Sequence, residues 1–373
     1  MTTPLVSILW LNYNSAPFIG TPLESLERIR DLEYPNFELI VVDNGSTDKS
    51  FKTIEAALEK MDLQLKIIKL KRNLGFTGGN NVAYRARNPN SKYIVLLNND
   101  AFPYPDGLSN LVESMENDKA LGSAQGVILN HDGKTIDTAG GFDDELLSSY
   151  LFLRGREPKT LRREICISHA NGAYAIYRVE AVEKVMGDNE RILEDELFYT
   201  REDDLIGFRL WNAGFKVKAF PFIVGKHKRS SSSRRVGVNG MYMLFRNWSL
   251  LNEISNSRYR NLVRLLIMRC GFTSFTSLRV RRKGRINSEV SPSVFLRDFQ
   301  KAVSNGREIG KKIKTRMGPI DIYKAPIIKV RPSVALPRLV IPQRFVNRDI
   351  SKVLDKILSG EIELDQLIPF DIG

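Results

Sequence analysis

Three acidic segments are the residues of this chain whose types and positions could do chemistry. Asp43 and Asp100 each follow a run rich in Val, Ile and Leu, whereas Glu202 and Asp203 come just before a helical pattern. Such runs are typical of buried parallel strands. Carboxylates at the carboxyl ends of those strands face the crevice where open α/β sheets bind ligands. We therefore expect the first two to hold a nucleotide and a metal, and the third to do proton chemistry.

Two of the loops suit ligand binding, although each also suits a simple turn. The carboxylate of Asp43, in the loop 43–48, can accept hydrogen bonds from a base N–H or a ribose hydroxyl. The segment 98–100 sets one carboxylate beside two amides, which suits a hard divalent cation, Mg²⁺ or Mn²⁺. Turns and helix caps favour the same residue types, so the loops alone leave both interpretations open.

Three further signals are weaker when each is taken alone. The segment 73–81 carries three glycines, and a helix beginning there would aim its N–H groups at an anion. It matches neither a Walker A loop nor a dinucleotide motif. The adjacent acids 202–204 repel one another, which raises pKa values and suits a general base, but acids also stabilise the first turn of a helix. His227, one of three histidines, follows a strand predicted over 215–224 and is a candidate metal ligand.

The elements that must position these residues alternate between strand and helix. The predicted strands are 5–11, 38–42, 65–70 and 93–97, and the predicted helices are 22–30, a helix running through 57–61, 78–86 and 205–211. This alternation predicts a parallel sheet covered on both faces. The stretch 124–178 predicts short strands that extend the sheet beside an acceptor cleft.

After about residue 226 the character of the chain changes. In chain order, we predict a basic serine-rich loop at 226–235, one helix over 242–270, a basic cluster at 279–285, an amphipathic helix over 295–313, a proline-punctuated segment over 319–342 and a short helix at 350–358. We expect a first domain over 1–245 and a basic helical and extended region over 246–373. That region could rest on a membrane or pack as an appendage with a solvated basic face.

The bulk composition limits the partners and the compartment. With 56 Lys and Arg against 43 Asp and Glu, the net charge of +13 predicts attraction to phosphates, nucleic acid or an anionic membrane surface. Two cysteines, Cys166 and Cys270, are too few for a disulfide framework and indicate a reducing compartment. We find neither a signal peptide pattern nor an uninterrupted apolar run of spanning length. We expect a cytoplasmic protein with, at most, peripheral membrane contact; no oligomeric state follows.

The order and spacing of the motifs resemble a family 2 glycosyltransferase of the GT-A fold, over roughly residues 5–250. The resemblance is closest to the rhamnosyl- and galactofuranosyl-transferase-like branch. The motifs that carry it are VSILWLNYNS, VVDNGSTD, NLGFTGGNN, LLNND, NGAYAIYR and EDDLIGFRLWNAGFKV, followed by His227. It implies an α/β fold with a Rossmann-like, mostly parallel central sheet flanked by helices, followed by the mainly helical basic extension.

The resemblance also implies an inverting, metal-assisted transfer. A sugar would move from a nucleotide-diphosphate sugar to a hydroxyl of a glycan or lipid-linked acceptor, with Mg²⁺ or Mn²⁺ as cofactor. Asp203 would be the catalytic base with Glu202 beside it, and Asp100 with His227 would bind the metal. The implied nucleotide-sugar side comprises Leu11, Asn12, Asp43, Asn73, Gly75, Asn80, Asn98, Asn99 and Asp100. The implied acceptor and diphosphate side comprises Gly172, Ala173 and Arg209.

Two positions depart from the branch, and two other functions stay open. Asn98 stands at the first position of the aspartate motif, and Leu205 stands where the branch often has a third acid. A nucleotidyltransferase would need glycine and a basic residue in its first loop, and the segment 10–18 has neither. A nucleic-acid-binding protein would fit the charge, but the basic residues lack interleaved aromatics, so we expect no nucleic-acid partner.

Overall fold

The computed structural model describes residues 3–229, 237–281, 292–330, 332–335 and 352–360. Within these residues the chain forms two compact units. The first unit draws on 1–142 and 150–235, and the second draws on 143–149 and 236–373. The functional division at residues 245 and 246 stays a prediction.

The regular elements are numbered in chain order. The strands are β1 Val6–Asn12, β2 Phe37–Asp43, β3 Leu65–Lys69, β4 Tyr93–Asn98, β5 Ala101–Pro103, β6 Leu121–Asn130, β7 Ile136–Thr138, β8 Gly141–Asp144, β9 Ser149–Leu151, β10 Ile165–Cys166, β11 Tyr174–Arg178, β12 Lys216–His227 and β13 Ile327–Ile328. The helices are α1 Gly20–Arg30, α2 Ser50–Leu58, α3 Gly75–Arg85, α4 Gly107–Asn117, α5 Val179–Met186, α6 Glu202–Asn212, α7 Gly237–Ile254, α8 Arg260–Arg281, α9 Pro292–Met317, α10 Pro332–Ala335 and α11 352–359.

A mixed sheet forms the centre of the first unit, in the order β10-β12-β6-β11-β4-β1-β2-β3. Strands β3, β2, β1 and β4 pair in parallel, as predicted. Beyond β4, the strand β11 pairs antiparallel with both β4 and β6, and β12 runs parallel to β6. The predicted α/β fold is therefore confirmed, and strands from the stretch 124–178 do extend the sheet.

The core follows from the apolar runs that were identified in the sequence. Strands β1, β2 and β4 are buried along almost their whole length, since β-branched and leucine side chains are covered on both faces. Trp10 and Tyr93 are among the largest fully buried side chains, and Ile54 of α2 belongs to the same core cluster. This packing fixes the strand ends, where the polar residues stand.

The strand order defines a crevice at one edge of the sheet. The chain builds β1, β2 and β3 in one direction and then places β4 on the other side of β1. The carboxyl ends of β1 and β4 therefore flank a topological switch point, where open α/β sheets bind ligands. In this register Asn12 pairs with Asp43, and Leu11 pairs with Asn98.

Three local predictions need correction. The helix predicted from residue 205 begins at Glu202, so that the acids lie in its first turn. His227 is the last residue of β12, not a residue beyond a strand ending at 224. The single helix predicted over 242–270 is two helices, α7 and α8. Between them, the hydroxyl of Ser257 accepts a hydrogen bond from the Tyr259 N–H at 3.1 Å, an interaction typical of a helix start.

In the second unit, the amphipathic helix predicted over 295–313 is confirmed as α9. Its apolar face is buried, and the ring of Phe299 meets that of Phe245 of α7 edge to face at 5.0 Å. This apolar face is therefore covered by protein of the same unit. None of the helices that the structure describes is both long enough and apolar enough to cross a membrane. The predicted features at 230–235, 282–285 and 336–342 lie outside the described residues.

Candidate active site

At the carboxyl ends of β1 and β2, Asn12 and Asp43 form one hydrogen-bonded cluster. The Asn12 amide donates to a carboxylate oxygen of Asp43 at 3.2 Å, and the Ser46 hydroxyl donates to the same oxygen. The Asn12 carbonyl accepts from Ser15 at 2.6 Å and from Asn99 at 3.4 Å. Asn12 therefore ties the loops together, and the second oxygen of Asp43 remains for a ligand.

The loops after β2 and β3 are joined by two asparagine side chains. The Asn44 amide donates to the side chain of Asn73 at 3.0 Å and to the carbonyl of Gly75 at 2.9 Å. Its own carbonyl accepts from the Leu74 N–H at 2.9 Å, and Asn73 accepts from the Gly75 N–H at 2.7 Å. The structure thus gives the side chain of Asn73 an internal role in fixing the loop.

The glycine at the start of α3 serves packing within the protein. Gly75 has a φ of 78°, and a Cβ atom there would lie 2.4 Å from the carbonyl oxygen of Phe198 and 2.5 Å from its ring. The Thr77 N–H donates to that carbonyl at 3.3 Å. The backbone at the start of α3, which we expected to approach an anion, therefore packs against the segment that leads into α6. Asn80 is buried and donates to the Phe76 carbonyl at 2.9 Å.

A second cluster of charged side chains lies where β5, β7 and β12 meet. The Nε2 atom of His227 is 3.0 Å from Asp100 Oδ1, and its Nδ1 atom is 2.9 Å from Asp137 Oδ2. The other oxygen of Asp137 accepts from the Nε of Arg229. Asp100, Asp137 and His227 are all buried. The sequence analysis missed Asp137, which forms the back of this cluster.

The electrostatics of this cluster follow from its alternating charges. Burial alone would lower the pKa of His227, but hydrogen bonds to Asp100 and Asp137 outweigh it and raise the pKa to about 9. Burial would raise the pKa of Asp137, but its bonds to His227 and Arg229 hold that pKa below the ordinary value. The cluster is thus stable as a chain of opposite charges.

The same cluster fits a divalent cation. Asp100 Oδ1 and His227 Nε2 face each other at 3.0 Å, so one ion could take both as ligands. A carboxylate oxygen with an imidazole nitrogen is a donor set that Mn²⁺ accepts, and Mg²⁺ accepts the carboxylate. Asp137 occupies Nδ1, so Nε2 is the nitrogen that would bind the ion, after loss of its proton. Carboxylates commonly orient metal-binding histidines in this way.

Asp203 is held from one side by the segment that precedes β11. One carboxylate oxygen accepts from the Gly172 N–H at 3.0 Å and from the Asn171 amide at 3.3 Å. The other oxygen, Oδ1, is buried and has no hydrogen-bond partner. A Cβ atom at position 172 would lie 3.0 Å from that Oδ1, a tight contact that glycine avoids. Asn171 is a second residue that the sequence analysis missed.

The two acids at the start of α6 have different proton affinities. Burial raises the pKa of Asp203 to about 6, although the nearby His169 and the Gly172 N–H act against this rise. Burial, and then the charge of Asp203, raise the pKa of Glu202 well above the ordinary value. At neutral pH a carboxyl with a pKa of about 6 is mostly ionised, and the charge of Asp203 then favours the protonated form of Glu202. An ionised carboxylate with one oxygen that lacks a hydrogen-bond partner is equipped to accept a proton.

The segment 198–201 contacts the start of α3, directly precedes these acids and has an unusual backbone. Phe198, Thr200 and Arg201 have φ values of 60°, 68° and 70°, in the left-handed region that non-glycine residues rarely adopt. The Phe198 carbonyl is held by Thr77, and the Arg201 guanidinium pairs with Asp204 at 2.7 Å. Such backbone strain costs on the order of 1–3 kcal/mol for each residue and concentrates at functional sites.

Backbone and side-chain bonds connect the predicted site residues along one edge of the sheet. Asn99 reaches Asn12, and the Asn98 N–H donates to the Ala173 carbonyl at 3.0 Å. Ala173 follows Gly172, which holds Asp203. The edge therefore carries the Asp43 cluster, the strand end before Asp100 and the carboxylate of Asp203 in one connected series.

Two predicted residues have surroundings inside the protein. The Arg209 guanidinium is buried and lies 3.4 Å from the carboxylate of Glu194. The side chain of Leu11 lies against α3, where a Cβ atom at Gly79 would be 2.6 Å from it. Both residues support the elements that carry the site.

Residues 7–186 match the model of the family described as Glycosyl transferase family 2. An uncharacterised glycosyltransferase of Haemophilus influenzae is 33% identical over 129 residues, which is 34% of this chain and 38% of that protein. A candidate glycosyltransferase of Bacillus subtilis, EpsH, is 30% identical over 150 residues, which is 40% of each chain. The matched segment therefore spans about two fifths of the length of each relative.

A solved structure, that of GalNAc-T7 with UDP, GalNAc and Mn²⁺, has a TM-score of 0.52 and 13% identity. The match covers 84% of this chain and 58% of that one. At this identity the likeness shows the fold alone. Neither comparison singles out the rhamnosyl- and galactofuranosyl-transferase-like branch. Residues 7–186 of this chain thus match a glycosyl transferase family 2 domain, within a fold of the GT-A type.

Proposed function

We propose that this protein is an inverting glycosyltransferase. It would move a sugar from a nucleotide-diphosphate sugar to a hydroxyl of a glycan or lipid-linked glycan acceptor. The observation that carries this proposal is the connected edge on which Asp43, the Asp100–His227 pair and Asp203 stand together. The family 2 domain supports the reaction class, and the residue roles below are part of the proposal.

Asp203 is the proposed base. Its Oδ2 is held by Gly172 and Asn171, while its partnerless Oδ1 is available for the acceptor hydroxyl. As the acceptor oxygen bonds to the anomeric carbon, the bond from that carbon to the diphosphate oxygen breaks, and Oδ1 takes the hydroxyl proton. General-base assistance is worth about 10²- to 10⁴-fold in rate. Burial and the charge of Asp203 favour the protonated form of Glu202, which limits the negative charge beside the acceptor.

The Asp100–His227 pair is the proposed holder of Mg²⁺ or Mn²⁺. When bound, a divalent ion supplies positive charge where negative charge develops on the departing diphosphate. Asp137 orients His227 through Nδ1. Arg229, which pairs with Asp137, adds a fixed positive charge behind the cluster. These side chains would therefore support the leaving-group half of the reaction.

The donor nucleotide is proposed to lie over the loops after β1, β2 and β3. Asp43 keeps one carboxylate oxygen for a base N–H or a ribose hydroxyl, since Asn12 and Ser46 occupy the other. Asn44 and Asn73 would fix the loops that surround this position. We propose that the reaction takes place in the cytoplasm, as expected from the sequence.

A screen of nucleotide sugars tests the proposal. Full-length protein is mixed with UDP-, GDP- and dTDP-sugars, with and without Mn²⁺, and thermal stabilisation and donor hydrolysis are measured. We expect at least one donor to be stabilising and to be hydrolysed in a metal-dependent way. Failure of every donor to do either would refute the proposal.

Two variants assign the roles. Asp203→Asn should retain donor-induced stabilisation while transfer falls about 10²- to 10⁴-fold, because only the proton acceptor is lost. Asp100→Ala should lose the response to Mn²⁺ and with it most donor affinity. An Asp203→Asn protein that keeps most of its transfer rate would exclude Asp203 as the base, and an unchanged metal response in Asp100→Ala would exclude that ligand.

A further inference from the structure

The net positive charge of this protein arises from its C-terminal part. Residues 236–373 carry 25 Lys and Arg against 11 Asp and Glu, whereas residues 1–235 carry 31 against 32. The excess of +13 is therefore not spread over the transferase fold. We therefore expect the second unit, more than the first, to attract an anionic partner.

Helix α8 presents an apolar stripe to solvent in that same unit. Leu265, Met268 and Phe272 are 55%, 51% and 68% exposed, although large apolar side chains are normally covered. At 100° for each residue, the three fall within about 60° of one another around the helix axis. The opposite side of α8 is occupied by buried residues such as Val263 and Ile267, so the stripe points away from the unit's own core.

Cations flank the stripe on both sides. On the same helical wheel Arg264 lies about 40° beyond Met268, and Arg269 lies about 40° beyond Leu265. Arg264 is partly exposed and also pairs with Glu253 at 3.6 Å. Long basic side chains beside an apolar stripe can keep their charged ends at the level of lipid phosphates while the stripe enters the acyl boundary.

Helix α9 adds exposed positive charge and one more apolar residue. Its Lys301, Arg307 and Lys311 are exposed, and Leu296 near its start is 54% exposed. A Cβ atom at Gly271 of α8 would lie 2.4 Å from the ring of Phe299, so the later part of α8 packs on the early part of α9. The apolar stripe and the basic helix therefore belong to one packed helical body.

We propose that the stripe Leu265, Met268 and Phe272, with its flanking arginines, docks this protein on an anionic lipid bilayer. A second copy of the chain is a poor occupant, because two surfaces of the same high positive charge repel each other. Nucleic acid is a poorer occupant, since only one of the three side chains, Phe272, offers bases a stacking surface. An anionic bilayer matches both the charge and the apolar side chains.

Vesicle flotation of the full-length chain tests the proposal, without donor or metal, so that its outcome is independent of sugar transfer. The vesicles are phosphatidylcholine alone or with about 30% phosphatidylglycerol. We expect binding to the anionic vesicles that is at least roughly tenfold tighter than to the neutral ones and that weakens at about 0.5 M salt. Equal binding to both vesicles, or binding to neither, would overturn the proposal.

The stripe itself is tested by a triple variant carrying Leu265→Ser, Met268→Ser and Phe272→Ser. Its affinity for anionic vesicles should fall about tenfold or more, because the apolar contribution is lost while the charge is kept. Ile67→Ser, which removes an exposed apolar side chain from the first unit, is the matched control and should bind as wild type. Thermal unfolding establishes that each variant is folded.

Two outcomes decide against the stripe. A folded triple variant that floats as well as wild type shows that the charge alone binds, and it overturns the role of these residues. Retention of a fluorescent oligonucleotide without any vesicle binding assigns the positive charge to nucleic acid instead. If the triple variant does not fold, Phe272→Ser alone, at the most exposed of the three positions, gives the same test with a smaller expected loss of about threefold.

Discussion

Replacing Asp203 by asparagine should make the protein more stable at neutral pH while abolishing most transfer. Burial raises the pKa of this carboxyl to about 6, from an ordinary value of 3.8. The folded protein thus holds the proton more tightly than the unfolded chain does. Wild-type stability therefore falls as the pH rises from about 4 to about 6 and stays lower above that range. Asparagine, which is neutral, lacks this loss.

The expected magnitude follows from the pKa difference. Two pKa units correspond to about 3 kcal/mol, and Asp203 is only half-buried, so a gain of about 1–3 kcal/mol is expected. The amide oxygen of asparagine can still accept from the Gly172 N–H, so the local structure should persist. The exchange also removes the Asp203 charge, which is one cause of the raised pKa of Glu202, so Glu202 should release its proton more readily in the variant.

Urea unfolding of both proteins at pH 7.5 and at pH 4 is the assay. The variant should be more stable at pH 7.5, and its advantage should shrink at pH 4, where wild-type Asp203 is protonated too. Asp132→Asn, at an exposed position, is the matched control and should leave stability unchanged at both pH values. A variant that is less stable at pH 7.5, or whose advantage is independent of pH, would refute the account of Asp203 as a carboxylate whose ionised form burial destabilises.

Three further predictions concern the same edge of the sheet. With saturating donor and metal, the transfer rate should fall about tenfold per pH unit below pH 6 as Asp203 becomes protonated, and a flat profile down to pH 5 would contradict this. Asp137→Asn should weaken Mn²⁺ binding, measured by calorimetry, by about 10- to 100-fold, whereas Asp132→Asn should not change it. Gly75→Ala should displace Phe198 and lower transfer more than donor binding, which parallel rate and stabilisation measurements would check.

The sequence was sufficient for the parts of the fold and site that depend on local pattern. Runs of Val, Ile and Leu located β1, β2 and β4, and the polar residues that end them mark one edge of the sheet. The order of the motifs also indicated the family 2 domain. These features depend on burial and chain order, which a single sequence records.

What could not be predicted depends on contacts between distant residues. Asp137 stands between two ordinary residues of a short strand, and only the sheet brings it to His227, 90 positions away. Likewise, glycine at position 75 leaves room for the close approach of Phe198, and no local pattern indicates that contact. Ser257, a residue type that favours helix starts, marks the break between α7 and α8. The apolar pattern on both sides of it nevertheless favoured one continuous helix.

The two halves of the site differ in stiffness. His227 ends a long strand whose neighbours on either side are hydrogen-bonded to it, so that the distance from its ring to Asp100 is set by the sheet. Asp203 instead follows a short segment in which Phe198, Thr200 and Arg201 have left-handed backbone angles. A change of backbone angle in this segment would release strain energy. Divergence among related chains, and any adjustment on substrate arrival, should therefore concentrate around positions 198–201. The Asp100–His227 pair, which the sheet positions, should keep one geometry whichever acceptor hydroxyl is bound.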